Sequence, residues 1–403
     1  MTEKYFTQNK TLIIIILGLL SAIGPFSIDS YLPGFPSIAR DLDITVEKVS
    51  YSLSAFFIGI SIGQLLYGPL LDRFGRKKPL MIGLVVYILG SLGCMMASTI
   101  EALIAFRFIQ ALGGCVGMVA PRAMVRDAYP VKESARIFSA LILVIGISPL
   151  IAPTIGSVLV EHFGWHSVFL FQTIFVGVLL VAVVFFLAET KADDPNHSLL
   201  PKAVTTVFLK VLFQRSFLTY AFTAAFMAGG LYAYISGSPY VFMELFGMSE
   251  WAYGLMFAAL AAGLIGSSQL NRLLLKTYSP EKIFNISVIA QTCFGLSLFV
   301  LSWAGMLELR SACLLIFLYL SCQGFTFPNA SALALAPFAK EAGSASALLG
   351  AIQMGIGAFA AALVGFLGNG SSMPMTGVMA LFASIGLLIY FIGRREITSV
   401  ISS

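Results

Sequence analysis

Charged residues are scarce in this sequence, and their scarcity excludes an ordinary water-soluble fold. Only 11% of the 403 residues are Asp, Glu, Lys or Arg, while 58% are hydrophobic. A soluble domain has roughly a quarter charged residues, because its surface must be hydrated. The composition therefore predicts a protein whose side chains mostly face lipid or one another.

Histidine and cysteine are also rare, and the common cofactor motifs are missing. The chain has three histidines and five cysteines, and no CxxC pair, so a metal site is not indicated. No P-loop, HExxH or dinucleotide-binding glycine motif occurs, and the basic residues form no long cluster that would favour nucleic acid. We therefore predict no cofactor, no metal, no nucleic-acid partner and no enzymatic activity, and an ion gradient remains as the energy source.

Long apolar runs are what the sequence has in abundance. A helix needs about 20 largely apolar residues to cross the hydrocarbon core of a bilayer. The runs between polar breaks predict an all-α polytopic membrane protein with twelve transmembrane helices. We place the spans at 11–36, 51–71, 79–98, 102–124, 137–160, 166–188, 217–240, 252–271, 284–305, 311–337, 344–367 and 374–392.

The distribution of basic residues predicts the orientation of these spans. If the N-terminus is cytoplasmic, twenty of the 24 Lys and Arg residues fall on cytoplasmic segments, three fall on the opposite side and one, Arg107, lies inside a span. Cytoplasmic loops carry such an excess of Lys and Arg. We therefore expect cytoplasmic N- and C-termini, and the short loops favour a bacterial inner membrane.

The chain divides into two halves around a polar segment. Residues 1–188 form a predicted N-terminal six-helix bundle, 189–216 a cytoplasmic linker, and 217–403 a C-terminal six-helix bundle. The amphipathic stretch from Val204 to Phe213 predicts a short helix on the membrane interface. Such a layout suggests a monomer with a cavity at the bilayer midplane between the bundles.

The loop between spans 2 and 3 carries the most specific motif. From Gly68 to Lys78 it reads GPLLDRFGRKK. It resembles the signature loop G-x-L-x-D-R-x-G-R-K/R of the major facilitator superfamily, whose members are transporters with two six-helix bundles. The resemblance implies that Asp72, with Arg73, Gly75 and Arg76, latches a cytoplasmic gate against a neighbouring base and the N-terminus of span 11 at Gly343 and Ser344.

Three other stretches narrow the resemblance. Span 4 has RFIQALGG from Arg107, span 5 has GISPLIAPTIGS from Gly146, and span 1 has DSYLPGFP from Asp29. Together they resemble the bicyclomycin/chloramphenicol resistance (Bcr/CflA) branch of the drug/proton antiporters, although Ala111 and Ser157 stand where glycine is usual. This branch implies export of drugs in exchange for protons, with gating residues Pro149, Pro153 and Gly156 in span 5.

Two ionisable residues inside spans are the candidates for proton coupling. Ionisable groups at membrane depth are costly, and they mark functional sites by default. Asp29 and Arg107 lie at similar predicted depths, roughly 12 and 9 Å from the outer ends of their spans, so we expect them to face each other. Desolvation favours the neutral carboxyl and a nearby cation favours the ionised one, which would let Asp29 bind and release a proton. A static Asp29–Arg107 ion pair is the alternative.

The predicted cavity lining suits an amphipathic organic molecule. Its candidate substrate-binding residues are Tyr31, Gln110, Tyr232, Tyr234, Asn329 and Gln353. One acid and one base favour a neutral or zwitterionic solute. Two alternatives remain open: a transporter of the same family for one metabolite or siderophore, and a membrane enzyme or sensor, for which no loop supplies a catalytic domain.

Overall fold

The computed structural model describes residues 10–194, 208–338 and 342–401, and this part of the chain is helical without any strand. It contains twelve helical stretches that are long and apolar enough to cross a bilayer, which confirms the predicted number. These spans are Lys10–Asp41, Val46–Phe74, Lys77–Met95, Ile100–Ala128, Ala140–Phe163, His166–Phe186, Arg215–Leu245, Glu250–Leu274, Pro280–Trp303, Leu309–Leu335, Gly343–Phe366 and Met373–Arg394.

Span 1 is not a continuous helix. An α-helix from Lys10 to Asp29 is followed by a 3₁₀ turn, Leu32–Gly34, and by a short helix, Phe35–Asp41. Pro33 and Pro36 lack the N–H groups that a continuous helix would donate to the Asp29 and Leu32 carbonyls, so the hydrogen-bond ladder is interrupted there. Asp29 is therefore the last residue of its helix.

Spans 4 and 7 are also interrupted. Span 4 consists of the helices Ile100–Gly114 and Val116–Ala128, which meet at Cys115. In span 7 the helix Arg215–Pro239 passes into a π-helical turn, Tyr240–Leu245. The helix of span 5 is longer than the predicted 137–160, because it begins at Val131 and ends at Phe163.

The first six spans pack mainly among themselves, as do the last six, and the two groups meet along two seams. Spans 2 and 11 form one seam, and spans 5 and 8 form the other. On the first seam the Ser61 hydroxyl donates to the Ala351 carbonyl at 2.8 Å. On the second, Gly254 lies against the Pro153 carbonyl, where an added Cβ would be 3.1 Å from the oxygen. The central cavity lies between these seams.

Glycines allow the close approach of spans 2 and 4. A Cβ on Gly59 would lie 2.7 Å from the Ala111 Cβ, and one on Gly63 would lie 2.7 Å from the Cys115 Cβ. Small residues bring helix backbones together in membranes, and these two glycines do so for spans 2 and 4.

We call the face of the molecule that carries Lys10 and the end of span 12 the terminal face. After span 6 the chain crosses the terminal face from Glu189 to Asp194. The predicted interfacial helix from Val204 to Phe213 begins outside the described residues. Its described part is helical at residues 208–212, and Val211 is buried in a cluster with Phe217 and Phe338.

Candidate functional site

A cavity of about 150 Å³ lies between the two groups of spans. Its lining is largely apolar and comes from both groups. Its members are Gly24, Pro25, Ile28, Asp29, Ile60, Met118, Pro149, Leu231, Tyr232, Tyr234, Ile235, Phe257, Ala261, Leu264, Leu320 and Met354. Most protein sites for drug-sized molecules have roughly 300–1,000 Å³, so this cavity must widen before it can admit such a molecule.

Asp29 supplies the one carboxyl group among the described residues that line this cavity. The break in span 1 places it at the end of a helix, and only 5% of its surface is exposed. Within the described part of the chain, no hydrogen bond or ion pair reaches its carboxyl group. Its electrostatic neighbours are the phenols of Tyr232, Tyr234 and Tyr253, all from the last six spans. The carboxyl group of one group of spans thus faces hydroxyl groups of the other.

Arg107 points away from this cavity, contrary to the expectation that it faces Asp29. It is fully buried, and its Nη1 atom donates to Gln110 Oε1 at 2.7 Å. Its guanidinium lies over the rings of Tyr31 and Phe56, 4.5 and 4.0 Å from their centroids. Cation–π contacts of this kind stabilise a desolvated cation. No ion pair joins Arg107 to Asp29, so the static-pair alternative also fails in this structure.

Gln110 belongs to a buried hydrogen-bond network and does not line the cavity. Its Nε2 atom donates to Gln172 Oε1 at 2.8 Å and to Ser91 Oγ at 3.1 Å. Gln172 in turn donates to Ser30 Oγ at 3.0 Å. The network ties spans 3, 4 and 6 to the break in span 1. Gln172 was not predicted, although a glutamine inside the apolar span 6 is a signal for such a helix-to-helix contact.

Tyr31, Asn329 and Gln353 are likewise absent from the cavity lining, which corrects their predicted placement. The Tyr31 hydroxyl shares a hydrogen bond with Ser52 Oγ at 2.8 Å, beneath Arg107. Asn329 donates to Asn271 Oδ1 at 2.8 Å, joining spans 10 and 8. Residue number fixes the depth of each side chain, but the rotation of its helix decides which way it points.

Tyr232 and Tyr234 line the cavity as predicted, and they differ in their hydrogen bonds. The Tyr232 hydroxyl donates to Met354 Sδ at 3.5 Å, and its ring packs on Phe57 with centroids 4.6 Å apart. The Tyr234 hydroxyl is buried without a partner among the described residues. The apolar lining residues were missed by the sequence analysis, because nothing but their hydrophobicity marks Met118 or Phe257.

The three residues proposed for gating in span 5 either line the cavity or form contacts between span 5 and its neighbours. Pro149 lines the cavity, and the Pro153 carbonyl lies on the seam with span 8. Gly156 packs directly against the Ser30 carbonyl, and a Cβ there would collide with that oxygen. Span 5 therefore contacts the break in span 1 and the last six spans at once.

The loop between spans 2 and 3 forms a charge cluster on the terminal face. The Asp72 carboxylate accepts from Arg76 Nη1 at 2.9 Å and from Lys191 Nζ at 3.0 Å. Arg76 Nε donates to Asp127 at 2.6 Å, and only 3% of the Arg76 side chain is exposed. Burial disfavours the charge of Arg76, but the hydrogen bonds and charges of Asp127 and Asp72 outweigh burial and raise its pKa.

The partners of Asp72 correct the prediction for this loop. We expected Asp72 to meet the N-terminus of span 11, but within the described residues no hydrogen bond joins it to Gly343 or Ser344. Its partners come from its own loop and from the segment after span 6. In this structure Asp72 therefore binds its own loop and the segment after span 6, and its described hydrogen bonds do not join the two groups of spans.

Glu189 fixes the turn at Gly75. Its carboxylate accepts from the Arg76 and Lys77 backbone N–H groups at 2.7 and 2.9 Å, at the N-terminus of span 3. A carboxylate is favourable there, because the first N–H groups of a helix lack partners and carry a partial positive charge. Gly75 has a φ of +77°, and a Cβ would lie 2.8 Å from Glu189 Oε2. The signature glycine is thus required by conformation and by contact.

Comparisons with known proteins agree with this architecture. The family model of the Major Facilitator Superfamily matches residues 16–362. The MFS-type transporter YdgK of Bacillus subtilis is 33% identical over 95% of this chain and 96% of its own. A bicyclomycin resistance protein homolog of Haemophilus influenzae is 31% identical over 97% of this chain and 99% of its own.

A solved structure supports the fold alone. A bacterial homolog of the human lysosomal transporter Spinster, inward-facing and occupied, has a TM-score of 0.75 at 14% identity. That alignment covers 95% of this chain and 96% of the Spinster homolog. With twelve spans, the signature loop and a family match over most of its length, the chain belongs to the major facilitator superfamily, as a multi-pass membrane transporter similar to its bicyclomycin-resistance branch.

Proposed function

We propose that this protein is a proton-coupled antiporter that exports amphipathic drugs from the cytoplasm of a bacterium. The observation that carries the proposal is the Asp29 carboxyl group, which lies in an apolar cavity between the two groups of spans and has no ion pair with any described residue. A buried carboxyl group without a cation binds a proton readily and releases it when water enters. Opening the cavity to each side in turn would load and unload Asp29.

The cavity lining indicates the substrate class. Aromatic, thioether and aliphatic groups surround a single carboxyl group, and Arg107 is not part of the lining. Because the described residues of the lining include no base, the proposed substrates are amphipathic molecules that are neutral or carry a protonatable amine, and zwitterions are less favoured than the sequence suggested. The resistance named for the Haemophilus influenzae relative supports drug export.

The same proposal assigns the remaining roles and the location. The asymmetry of Lys and Arg favours the inner membrane with the terminal face in the cytoplasm. Asp72 and its loop would stabilise one conformation of the cytoplasmic gate, and Pro149, Pro153 and Gly156 would control how span 5 moves against spans 1 and 8. We propose a monomer, since one chain supplies the whole cavity.

Growth inhibition tests drug export and the role of Asp29 together. A bacterium without its own drug pumps would express the wild type, Asp29→Asn or Asp43→Asn at matched membrane levels, over a chloramphenicol series and a panel of amphipathic amines. Asp43 is the matched control, because it is a surface carboxylate at a turn with a φ of +51°, which asparagine tolerates. We expect the wild type and Asp43→Asn to protect and Asp29→Asn to fail.

Everted vesicles then test the coupling directly. Adding a transported drug should release protons from the acidified lumen for the wild type and for Asp43→Asn, and not for Asp29→Asn. Drug-driven proton release that persists in Asp29→Asn would exclude Asp29 as the proton carrier. If the wild type protects against no drug in the panel, drug export itself is wrong.

A further inference from the structure

Two buried polar groups face the same cavity, and neither has a partner among the described residues. Asp29 is 5% exposed and ends the first helix of span 1, whereas Tyr234 is 1% exposed and belongs to span 7. Both line the cavity, and their groups interact electrostatically. They come from opposite sides of the interface between the two groups of spans.

Buried polar groups in proteins almost always find a hydrogen-bond partner, and an unsatisfied one is costly. An ionised carboxyl group can only accept hydrogen bonds, while a phenol has one proton to donate. A cavity of about 150 Å³ also has room for a bridging water, which needs at least about 10–15 Å³. The complementary chemistry of the two groups therefore favours a bond between them when Asp29 is ionised.

The other hydroxyl groups near Asp29 are already engaged. Tyr232 donates to Met354 Sδ at 3.5 Å, and the Tyr253 hydroxyl shares a hydrogen bond with Ser238 Oγ at 2.8 Å. Of the residues that the structure describes, Asp29 is the one charged residue that lines the cavity. Among the groups that face Asp29 from the elements packed around it, Tyr234 is thus the donor still available.

We propose that Tyr234 is a positioning residue of the proton site, which donates a hydrogen bond to ionised Asp29 directly or through one water molecule. This bond joins spans 1 and 7 across the interface and is strongest while Asp29 lacks its proton, because the acceptor is then charged. Protonation removes the need for the donor and so weakens one link between the two groups of spans. The inference rests on the proposed function, and it adds that protonation acts on the interface through a tyrosine of the second group.

The decisive measurement is the titration of Asp29 itself, which requires no knowledge of the substrate. Infrared difference spectra of purified protein would follow the protonated carboxyl band against pH, and the Asp29→Asn spectrum would identify that band. Removing a donor to the ionised form makes deprotonation harder, so we expect Tyr234→Phe to raise the titration midpoint by about 1 pH unit, a tenfold increase in proton affinity.

Tyr232→Phe is the matched control, because it removes a hydroxyl group from the same cavity wall that already has the Met354 sulfur as partner. Its midpoint should stay within about 0.3 pH units of the wild type, well below the shift expected from one charge-assisted hydrogen bond. A merely structural role of Tyr234 would lower thermal stability without moving the midpoint. An unchanged midpoint in Tyr234→Phe, or an equal shift in both variants, overturns the inference.

Failure of the inference and failure of the proposed function are distinguishable. If Asp29 titrates and Tyr234→Phe leaves its midpoint unchanged, Asp29 can still carry the coupled proton and only the role of Tyr234 is wrong. If drug-driven proton release persists in Asp29→Asn, the transport proposal fails, whatever the infrared titration gives.

Discussion

Replacing Gly75 by alanine should destabilise the protein through two separable effects. Its φ of +77° and ψ of 179° lie in a region used almost only by glycine, and an alanine there costs about 1–3 kcal/mol. A Cβ would also lie 2.8 Å from Glu189 Oε2, so this carboxylate must move away from the Arg76 and Lys77 N–H groups. A hydrogen bond to a charged group contributes about 1.5–3 kcal/mol. We expect a total loss of about 4 kcal/mol.

Two other glycines separate these effects. Gly164 has nearly the same backbone conformation, with φ of 75° and ψ of 166°, but nothing lies within 4 Å of an added Cβ. Gly164→Ala should therefore cost only the backbone part, about 2 kcal/mol. Gly177 is helical and equally open, so Gly177→Ala should stabilise the protein by about 0.5–1 kcal/mol.

The assay is unfolding of the purified protein in mixed micelles with increasing dodecyl sulfate, followed by circular dichroism. The difference between Gly75→Ala and Gly164→Ala, about 2 kcal/mol, isolates the contacts of the added methyl group with the Glu189 carboxylate and the Lys191 carbonyl, 2.8 and 2.9 Å away. If Gly75→Ala is no less stable than Gly164→Ala, an added methyl group at residue 75 does not displace the Glu189 carboxylate, and this reasoning is refuted.

The same unfolding assay checks three more expectations. Arg76→Met should cost about 1.5–3 kcal/mol, because Asp127 loses its bond to Arg76 while Asp72 keeps Lys191. Lys191→Met, at a side chain 33% exposed, should cost at most about 1 kcal/mol, and the reverse order would contradict the assignment. Gln110→Leu should cost about 3 kcal/mol, because it leaves groups of its buried network unpaired, and a neutral result would deny that network. Asn329→Leu should cost about 1–3 kcal/mol, and adding Asn271→Leu should restore part of it, whereas strictly additive losses would mean that the two amides do not interact.

The terminal-face cluster shows how far a motif alone can be interpreted. The sequence predicts that the loop around Asp72 is special, because an acid stands among four bases beside two glycines. It does not say which base the acid meets. In the structure Asp72 accepts hydrogen bonds from Arg76 and from Lys191, and four spans lie between Asp72 and Lys191 along the chain. Such a partner depends on where span 6 ends relative to span 2, which local sequence does not specify.

Hydrophobicity by itself determined the class, the number of spans and the one acid at membrane depth, because the bilayer imposes a minimum helix length and a cost on every charge within it. These properties depend on position along the chain, which the sequence contains directly.

The surroundings of each buried polar side chain were decided only by the tertiary structure. Asp29 and Arg107 have similar predicted depths, yet Asp29 faces a cavity with Tyr234, whereas Arg107 lies over the Tyr31 ring beside Gln110. Each residue along a helix turns the side chain by about 100°, so a small rotation of a span exchanges neighbours without changing depth. That rotation is set by packing against other spans, and this is why the tyrosines near Asp29 come from the last six spans and Arg107 lies elsewhere.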